Sequence, residues 1–182
     1  VGDEGAVGLE LRRLSNGRGN PSTITIRHAS ETIGMGESPA AAIKAKKDSS
    51  LVVAARLVKE GEAAAMVSVG NTGACMTAAF LGLGRLEGIH RPAIAIPIPH
   101  AQGTTTVIDA GANVDCRPAY LAQFGVMGEV YAERVLGVAH PRIGLLNVGE
   151  EEGKGNELTQ EAYALLKASP LNFIGNVEGR DV

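Results

Sequence analysis

Residues 65–84 constrain the fold most, because they place a strand, a tight turn and a helix in immediate succession. Ala65-Met66-Val67-Ser68-Val69 reads as extended, Gly70-Asn71-Thr72-Gly73 turns the chain, and an Ala/Leu/Met helix follows to Gly84. The pattern recurs. Thr23-Ile24-Thr25-Ile26 alternates with period two and reads as a strand that delivers Arg27 and His28 at its end. Residues 93–98, 104–108, 142–148 and 172–174 read as further strands, with Pro97 and Pro99 demoting the end of the first to an edge or loop. Helices are expected over 3–14, from the Ser38-Pro39 cap to about Lys47, from an Asp48 or Ser49 cap to Gly61, over 118–136 and over 157–167. Helix 118–136 is apolar around much of its circumference, which suits burial between layers or against a second subunit.

Such alternation predicts an α/β chain with a parallel-rich sheet covered by helices on both faces. Composition agrees. With 45% hydrophobic residues, 3% aromatic and no Trp, the core must be built from Ala, Val, Ile and Leu. No repeat, low-complexity tract or linker divides the sequence, so residues 1–182 read as a single domain. Its 24 glycines are about 13% of the chain, roughly twice ordinary usage, and they cluster where strands hand over to helices.

The formal charge of −3 supplies no basic face for nucleic acid. Cys75 and Cys116 show neither zinc spacing nor a disulfide framework, and a reducing cytosol is the default. Apolar stretches are broken well before the roughly 18 residues of a membrane span. The opening Val1-Gly2-Asp3-Glu4 does not read as a signal peptide. A chain that opens at Val1 and stops at Val182 after Gly179-Arg180-Asp181 is expected to be truncated at both ends.

In sheets of this kind ligands bind beyond the carboxyl ends of the strands. Four polar clusters fall there: His28 with Glu31, residues 68–72, residues 109–113 and residues 149–156. The 70–73 turn opens a helix and can cradle an anion with backbone N–H groups, although an ordinary N-cap uses the same residues. The Glu-rich loop is not a P-loop: Gly149 and Gly153 enclose three residues, and Gly155 follows Lys154. Its three adjacent carboxylates would repel a triphosphate, and Lys154 among them could be part of a solvated charge run. No GxGxxG occurs. Cys75 and Cys116 have no His nearby in sequence and read as small buried thiols rather than nucleophiles. His28 can serve as a general acid or base or as a structural histidine. His90, His100 and His140 lack ligand spacing.

Taken in order, these stretches resemble the phosphate acyltransferases of bacterial phospholipid synthesis, the PlsX family. The resemblance rests on Lys46-Lys47-Asp48-Ser49-Ser50, on Ser68 with Gly70-Asn71-Thr72-Gly73-Ala74, and on Gly88-Ile89 with Arg91-Pro92-Ala93. It continues through Asp109, Gly111-Ala112-Asn113-Val114-Asp115-Cys116, Phe124 with Met127-Gly128, residues 144–155, and Gly175-Asn176 with Glu178-Gly179-Arg180-Asp181. It covers nearly the whole chain. The Asp-Ala-Met-Gly-Gly-Asp opening strand and the later Asp-Gly-Phe-x-Gly-Asn segment of that family are missing, and part of its active site with them.

The resemblance implies a three-layer αβα fold with a parallel-rich mixed sheet, like isocitrate and isopropylmalate dehydrogenases. It implies transfer of a fatty acyl group from acyl carrier protein to inorganic phosphate, with no cofactor and no metal. It also implies a cytoplasmic homodimer, peripheral at the inner face of the membrane through segments not present here. The acyl phosphate would pass to a membrane glycerol-3-phosphate acyltransferase. On this reading Asn71, Thr72 and Gly73 hold phosphate, Lys154 neutralises the phosphate or the developing oxyanion, Asn113 orients a partner, and His28 shuttles a proton. Asp109 and Gly111 complete the substrate loop. Arg12, Arg13, Lys44, Lys46 and Lys47 are candidates for a basic patch facing acidic acyl carrier protein.

Three rivals remain open at this stage. A short-chain phosphate acetyl- or butyryltransferase using acyl coenzyme A shares the chemistry but not the motifs. A metal-dependent hydroxyacid dehydrogenase needs grouped aspartates, yet Asp109 and Asp115 are six apart on a Gly loop. The third is a catalytically inactive fragment.

Overall fold

The computed structural model describes residues 1–15 and 23–182, so the Asn16-to-Pro21 run, which reads from sequence as a loop, lies outside the described residues. The chain gathers into two compact units, Val1–Leu86 and Glu87–Val182.

The first unit is helical. Helix α1 spans Glu4–Leu14, with the Asp3 carboxylate accepting from the Ala6 N–H at 2.8 Å, Glu4 in its first turn and Arg12 and Arg13 in its last. That charge order complements the helix dipole. Helices α2 (Pro39–Ala45), α3 (Ser50–Lys59) and α4 (Thr72–Leu83) follow. Ser38 and Ser49 occupy the cap positions of α2 and α3 as the sequence predicts, but neither side chain makes the capping bond. Asp48 does not cap α3 either, because its carboxylate is taken by the Ser30 hydroxyl and N–H. Ile43, Leu51, Ala55, Ala74 and Ala78 form the core, with Ile33, Val52, Met66 and Cys75 against it. The small residues matter here. A Cβ on Gly82 would lie 3.2 Å from that of Ala55, so α3 and α4 approach with almost nothing between them.

Two expected strands do not form in this unit. Residues 24–27 lie in no strand, and His28 makes only an isolated parallel bridge to Gly2. Residues 65–69 likewise lie in no strand, and Val67 and Val69 are almost fully exposed. Pairing needs a neighbouring strand as well as a pattern.

The second unit holds the sheets. Strands β1 (Ala95–His100) and β2 (Gly103–Ile108) form an antiparallel hairpin, with Pro97 opposite Thr106 and Pro99 opposite Thr104. The pair has an open edge, where the missing proline donors are tolerated. Helix α5 (Pro118–Arg134) leads to β3 (Ile143–Leu146), α6 (Glu157–Lys167) and β4 (Phe173–Val177), and β3 pairs with β4 in parallel. This is a βαβ unit. Leu145, Ala162, Leu166 and Leu171 form its core, with Leu121, Ile143, Tyr163 and Phe173 packed around them. Gly125 lets α5 come down on that core, since a Cβ there would lie 2.8 Å from Leu166 and 3.1 Å from Leu171. Helix α5 is less enclosed than its sequence suggests: Phe124 and Ala132 are buried, while Val126 and Val130 face solvent.

The chain is therefore α/β, with six helices and two separate two-stranded sheets among the described residues. One sheet is antiparallel and one parallel, so the single parallel-rich sheet expected from the sequence is not assembled here.

Candidate functional site

The predicted residues fall into three braced turns and one bridge, and their hydrogen bonds separate those that hold the chain from those that can face a ligand. In the first unit Asn71 caps α4, its Oδ1 accepting from the Ala74 N–H at 3.0 Å. Its Nδ2 donates toward the carbonyls of Gly34, Met35 and Glu37 at 3.1–3.3 Å. An amide has only two N–H bonds, so both are committed. The buried Asn71 thus shapes the turn, and its side chain has no donor left for an anion. What remains is the exposed Thr72 hydroxyl and the first-turn N–H groups of Thr72 and Gly73, which have no intrahelical acceptor. A Cβ on Gly73 would lie 2.8 Å from Pro39, so glycine is needed where the start of α2 meets the start of α4.

The Lys46–Ser50 stretch braces the same region. Lys46 Nζ donates to Glu37 Oε1 and to the Thr32 carbonyl, both at 2.7 Å. The lysine, and next the Gly34 N–H, hold the Glu37 carboxyl below its ordinary range. Asp48 is held down in the same way by the hydroxyl and N–H of Ser30. Lys46 and Arg13, the latter on Glu10 at 2.7 Å, are thus paired, leaving Arg12, Lys44 and Lys47 of the proposed basic patch. His28 is exposed, and its Nδ1 accepts from the Glu4 N–H at 3.2 Å at the start of α1. That bond puts the proton of a neutral ring on Nε2, which is the atom left for proton transfer.

In the second unit Asp109 directly follows β2 and gathers the loop there. Its Oδ1 accepts from the N–H groups of Ile94 (3.0 Å) and Ala112 (3.3 Å), and its Oδ2 from the Asn113 N–H (2.7 Å) and Nδ2 (2.9 Å). Asn113 Nδ2 also donates to the Pro92 carbonyl at 2.8 Å. Both amide hydrogens of Asn113 are therefore used, and it can offer a ligand only its carbonyl oxygen, an acceptor. Gly111 turns the loop at φ 84°, a conformation that favours glycine. Cys116 donates weakly to the Asn113 carbonyl at 3.6 Å. Burial, and then the Asp109 charge, push its thiol pKa up, which opposes thiolate formation and a nucleophilic role.

The 149–156 loop behaves differently. Lys154 N–H donates to the Glu151 carbonyl at 3.0 Å, closing a turn. Each of its three carboxylates has a cation on another position: Glu150 on Arg180 at 2.7 Å, Glu152 on Lys167 at 2.9 Å, and Glu151 on Lys154 at 3.9 Å. Glu150 and Glu152 are thus paired with cations from outside the loop rather than left bare. Exposed pairs of this kind add little stability, but they set the local field. Lys154 is half-exposed and has the loosest of the three pairings. Asn147, Asn176, Arg180 and Lys167 were not singled out for roles from sequence. They meet the loop from 7 to 30 positions away, and no spacing rule signals such contacts.

Thus the structure brings Asn71, Thr72 and Gly73 together in one turn and Asp109, Gly111 and Asn113 in another, with Lys154 on its own loop and His28 on its bridge. Among the described residues no three His, Cys, Asp or Glu side chains gather as a metal site, and no helix is long and apolar enough to cross a membrane.

A family model described as fatty acid synthesis protein matches residues 1–182. The chain is 55% identical over 182 residues to a phosphate acyltransferase of Pelotomaculum thermopropionicum, covering all of this chain and 52% of that protein. It is 56% identical over 162 residues to one of Desulfitobacterium hafniense, covering 89% of this chain and 48% of the relative. A phosphate acyltransferase of Elusimicrobium minutum is 48% identical over 182 residues, all of this chain and 53% of its own length. The chain spans about half the length of the curated relatives it matches.

Proposed function

We propose, from the premise that the chain belongs to the fatty acid synthesis protein family over its whole length, that the complete protein transfers a fatty acyl group from acyl carrier protein to inorganic phosphate. A phosphate oxygen attacks the thioester carbonyl carbon, the carbonyl oxygen takes up negative charge, and collapse breaks the C–S bond. The products are acyl phosphate and the phosphopantetheine thiol, which keeps the proton that hydrogen phosphate gives up. Phosphate is already nucleophilic and the thiolate leaves well, so positioning and charge stabilisation matter more than a strong base.

Each unit supplies one element directed at anions. In the first, the N–H groups of Thr72 and Gly73 and the Thr72 hydroxyl bind phosphate on a turn shaped by Asn71, and His28 moves a proton through Nε2. In the second, Lys154 neutralises phosphate or the oxyanion, Asn113 orients a partner through its carbonyl oxygen, and Asp109 and Gly111 hold that loop. The observation that carries Lys154 is the charge arrangement around it, in which Glu150 and Glu152 are balanced by Arg180 and Lys167.

In the complete protein the unpartnered 65–69 segment and the two small sheets belong to one three-layer αβα domain of the isocitrate dehydrogenase type. Isolated two-stranded sheets are at best marginally stable, which supports this reading. The exposed Val126 and Val130 of α5 fit a homodimer contact. The enzyme works in the cytoplasm, peripheral at the inner membrane face, docks acidic acyl carrier protein by basic residues such as Arg12, Lys44 and Lys47, and supplies a membrane glycerol-3-phosphate acyltransferase. The test is thioester loss from palmitoyl-acyl carrier protein and from acetyl coenzyme A, each with and without phosphate, in a chain of the relatives' full length. Phosphate-dependent loss from the first alone is expected. Loss from acetyl coenzyme A instead would replace this reading with a short-chain acyltransferase.

A further inference from the structure

The 149–156 loop is fastened to the parallel sheet by two neutral amides. Asn176 sits in β4 and is almost fully buried, at a strand position where an apolar side chain would ordinarily pack. Its Nδ2 donates to the Glu151 carbonyl at 2.8 Å, and its Oδ1 accepts from Asn147 Nδ2 at 3.2 Å. Asn147 follows β3 directly, and its Nδ2 reaches on to the Lys154 carbonyl at 3.0 Å. Its Oδ1 accepts from the Val148 N–H at 2.9 Å, and its own N–H donates to the Val177 carbonyl at 2.8 Å, locking it to β4. The two carbonyls seized are those at the ends of the Glu151-to-Lys154 turn. Gly155, at φ 88°, makes room for this: a Cβ there would overlap Thr159 Oγ1 and lie 2.5 Å from Asn147 Oδ1.

We infer that Asn176, acting through Asn147, is a positioning residue that fixes the Lys154 backbone, and so the origin of its ammonium group, relative to the β3–β4 sheet. A buried amide is costly unless both its ends are bonded, and here both ends are used on the loop or on the residue that holds the loop. Neutral amides do this without adding charge, so the field around Lys154 is left to the glutamates and their cations. A side chain with four rotatable bonds is useful in catalysis only if its root is held, and displacement of about 1 Å costs on the order of a hundredfold in rate. The catalytic consequence rests on Lys154 having the role proposed above.

The experiment compares Asn176→Ala, Lys154→Ala and the double variant in a chain of full length, with palmitoyl-acyl carrier protein and inorganic phosphate as substrates. Asn176→Ala is expected to lower kcat by about tenfold to a hundredfold and to raise hydrogen exchange at the 153–155 amides. In the Lys154→Ala background the same substitution is expected to cost almost nothing more, because the residue it positions is gone. Asn147→Ala, which removes the second strap from a less buried position, should reproduce the kcat loss if Asn176→Ala folds poorly. A full kcat in Asn176→Ala and Asn147→Ala beside an inactive Lys154→Ala overturns the positioning role alone. An equal further loss in the double variant also overturns it, since the effect would then bypass Lys154. Wild-type turnover in Lys154→Ala defeats the reading of Lys154 and the catalytic consequence together, while the exchange data still report whether the amides hold the loop.

Discussion

The loops after β2 and β3 both follow strand ends and both carry glycine and acidic residues, yet they are built in opposite ways. In the first, the Asp109 carboxylate turns inward and accepts four N–H bonds, from the Ile94, Ala112 and Asn113 backbone and the Asn113 side chain, so its charge is consumed in holding the loop. In the second, the neutral amides of Asn147 and Asn176 hold the backbone and the charged side chains point away to cations or solvent. An inward carboxylate builds a rigid wall. A loop held by amides leaves its charged groups free to act.

The largest expected stability effect is at Asp109. Asp109→Ala strips the acceptor from four N–H bonds and should lower unfolding free energy by about 3 kcal/mol, since hydrogen bonds to charged groups contribute roughly 1.5–3 each and water replaces part of the loss. Urea denaturation measures it, and an unchanged midpoint would break the contrast between the loops. Gly155→Ala comes next, at about 2 kcal/mol, because it adds left-handed backbone strain to a collision with the Asn147 strap. Its turnover should fall as well, which distinguishes the strapped loop from the wall. Glu152→Gln removes only the exposed pair with Lys167 and should move stability by under about 1 kcal/mol. A larger loss would mean that ion pairs, not amides, hold the second loop.

The smallest effect is one of pH in the first unit. The carboxyls of Glu37 and Asp48 titrate below their ordinary 4.5 and 3.8 when folded, so their contribution is complete above those values and disappears as pH falls through the lowered ones. Thermal midpoints should therefore hold steady from pH 7 to about 5 and decline below about 4. Asp48→Asn should flatten part of that decline.

The helices were legible from sequence because they are local: all six were read within three residues at either end, α2 closing at Ala45 rather than near Lys47. Periodicity also found β1 to β4. It failed at residues 23–26 and 65–69, which lie in no strand although their composition reads as one. Turn chemistry pointed to Asn71, Asp109 and Asn113, although their polar groups are mostly spent on backbone. The reverse holds for Asn176, which lay inside a motif without an assigned role because its contact is with a carbonyl 25 positions away. Sequence shows that a polar residue is present; only the fold shows which way its hydrogens are committed.

Whether the 149–156 loop delivers a working cation, as proposed for Lys154, is read from the turnover of palmitoyl-acyl carrier protein with phosphate by Lys154→Ala in a full-length chain. Loss of an oxyanion or phosphate partner of this kind costs about a hundredfold or more in kcat. That loss, with the thermal midpoint unchanged and partial recovery in Lys154→Arg, is the predicted result. Turnover within twofold of wild type would contradict the claim and return Lys154 to the solvated surface.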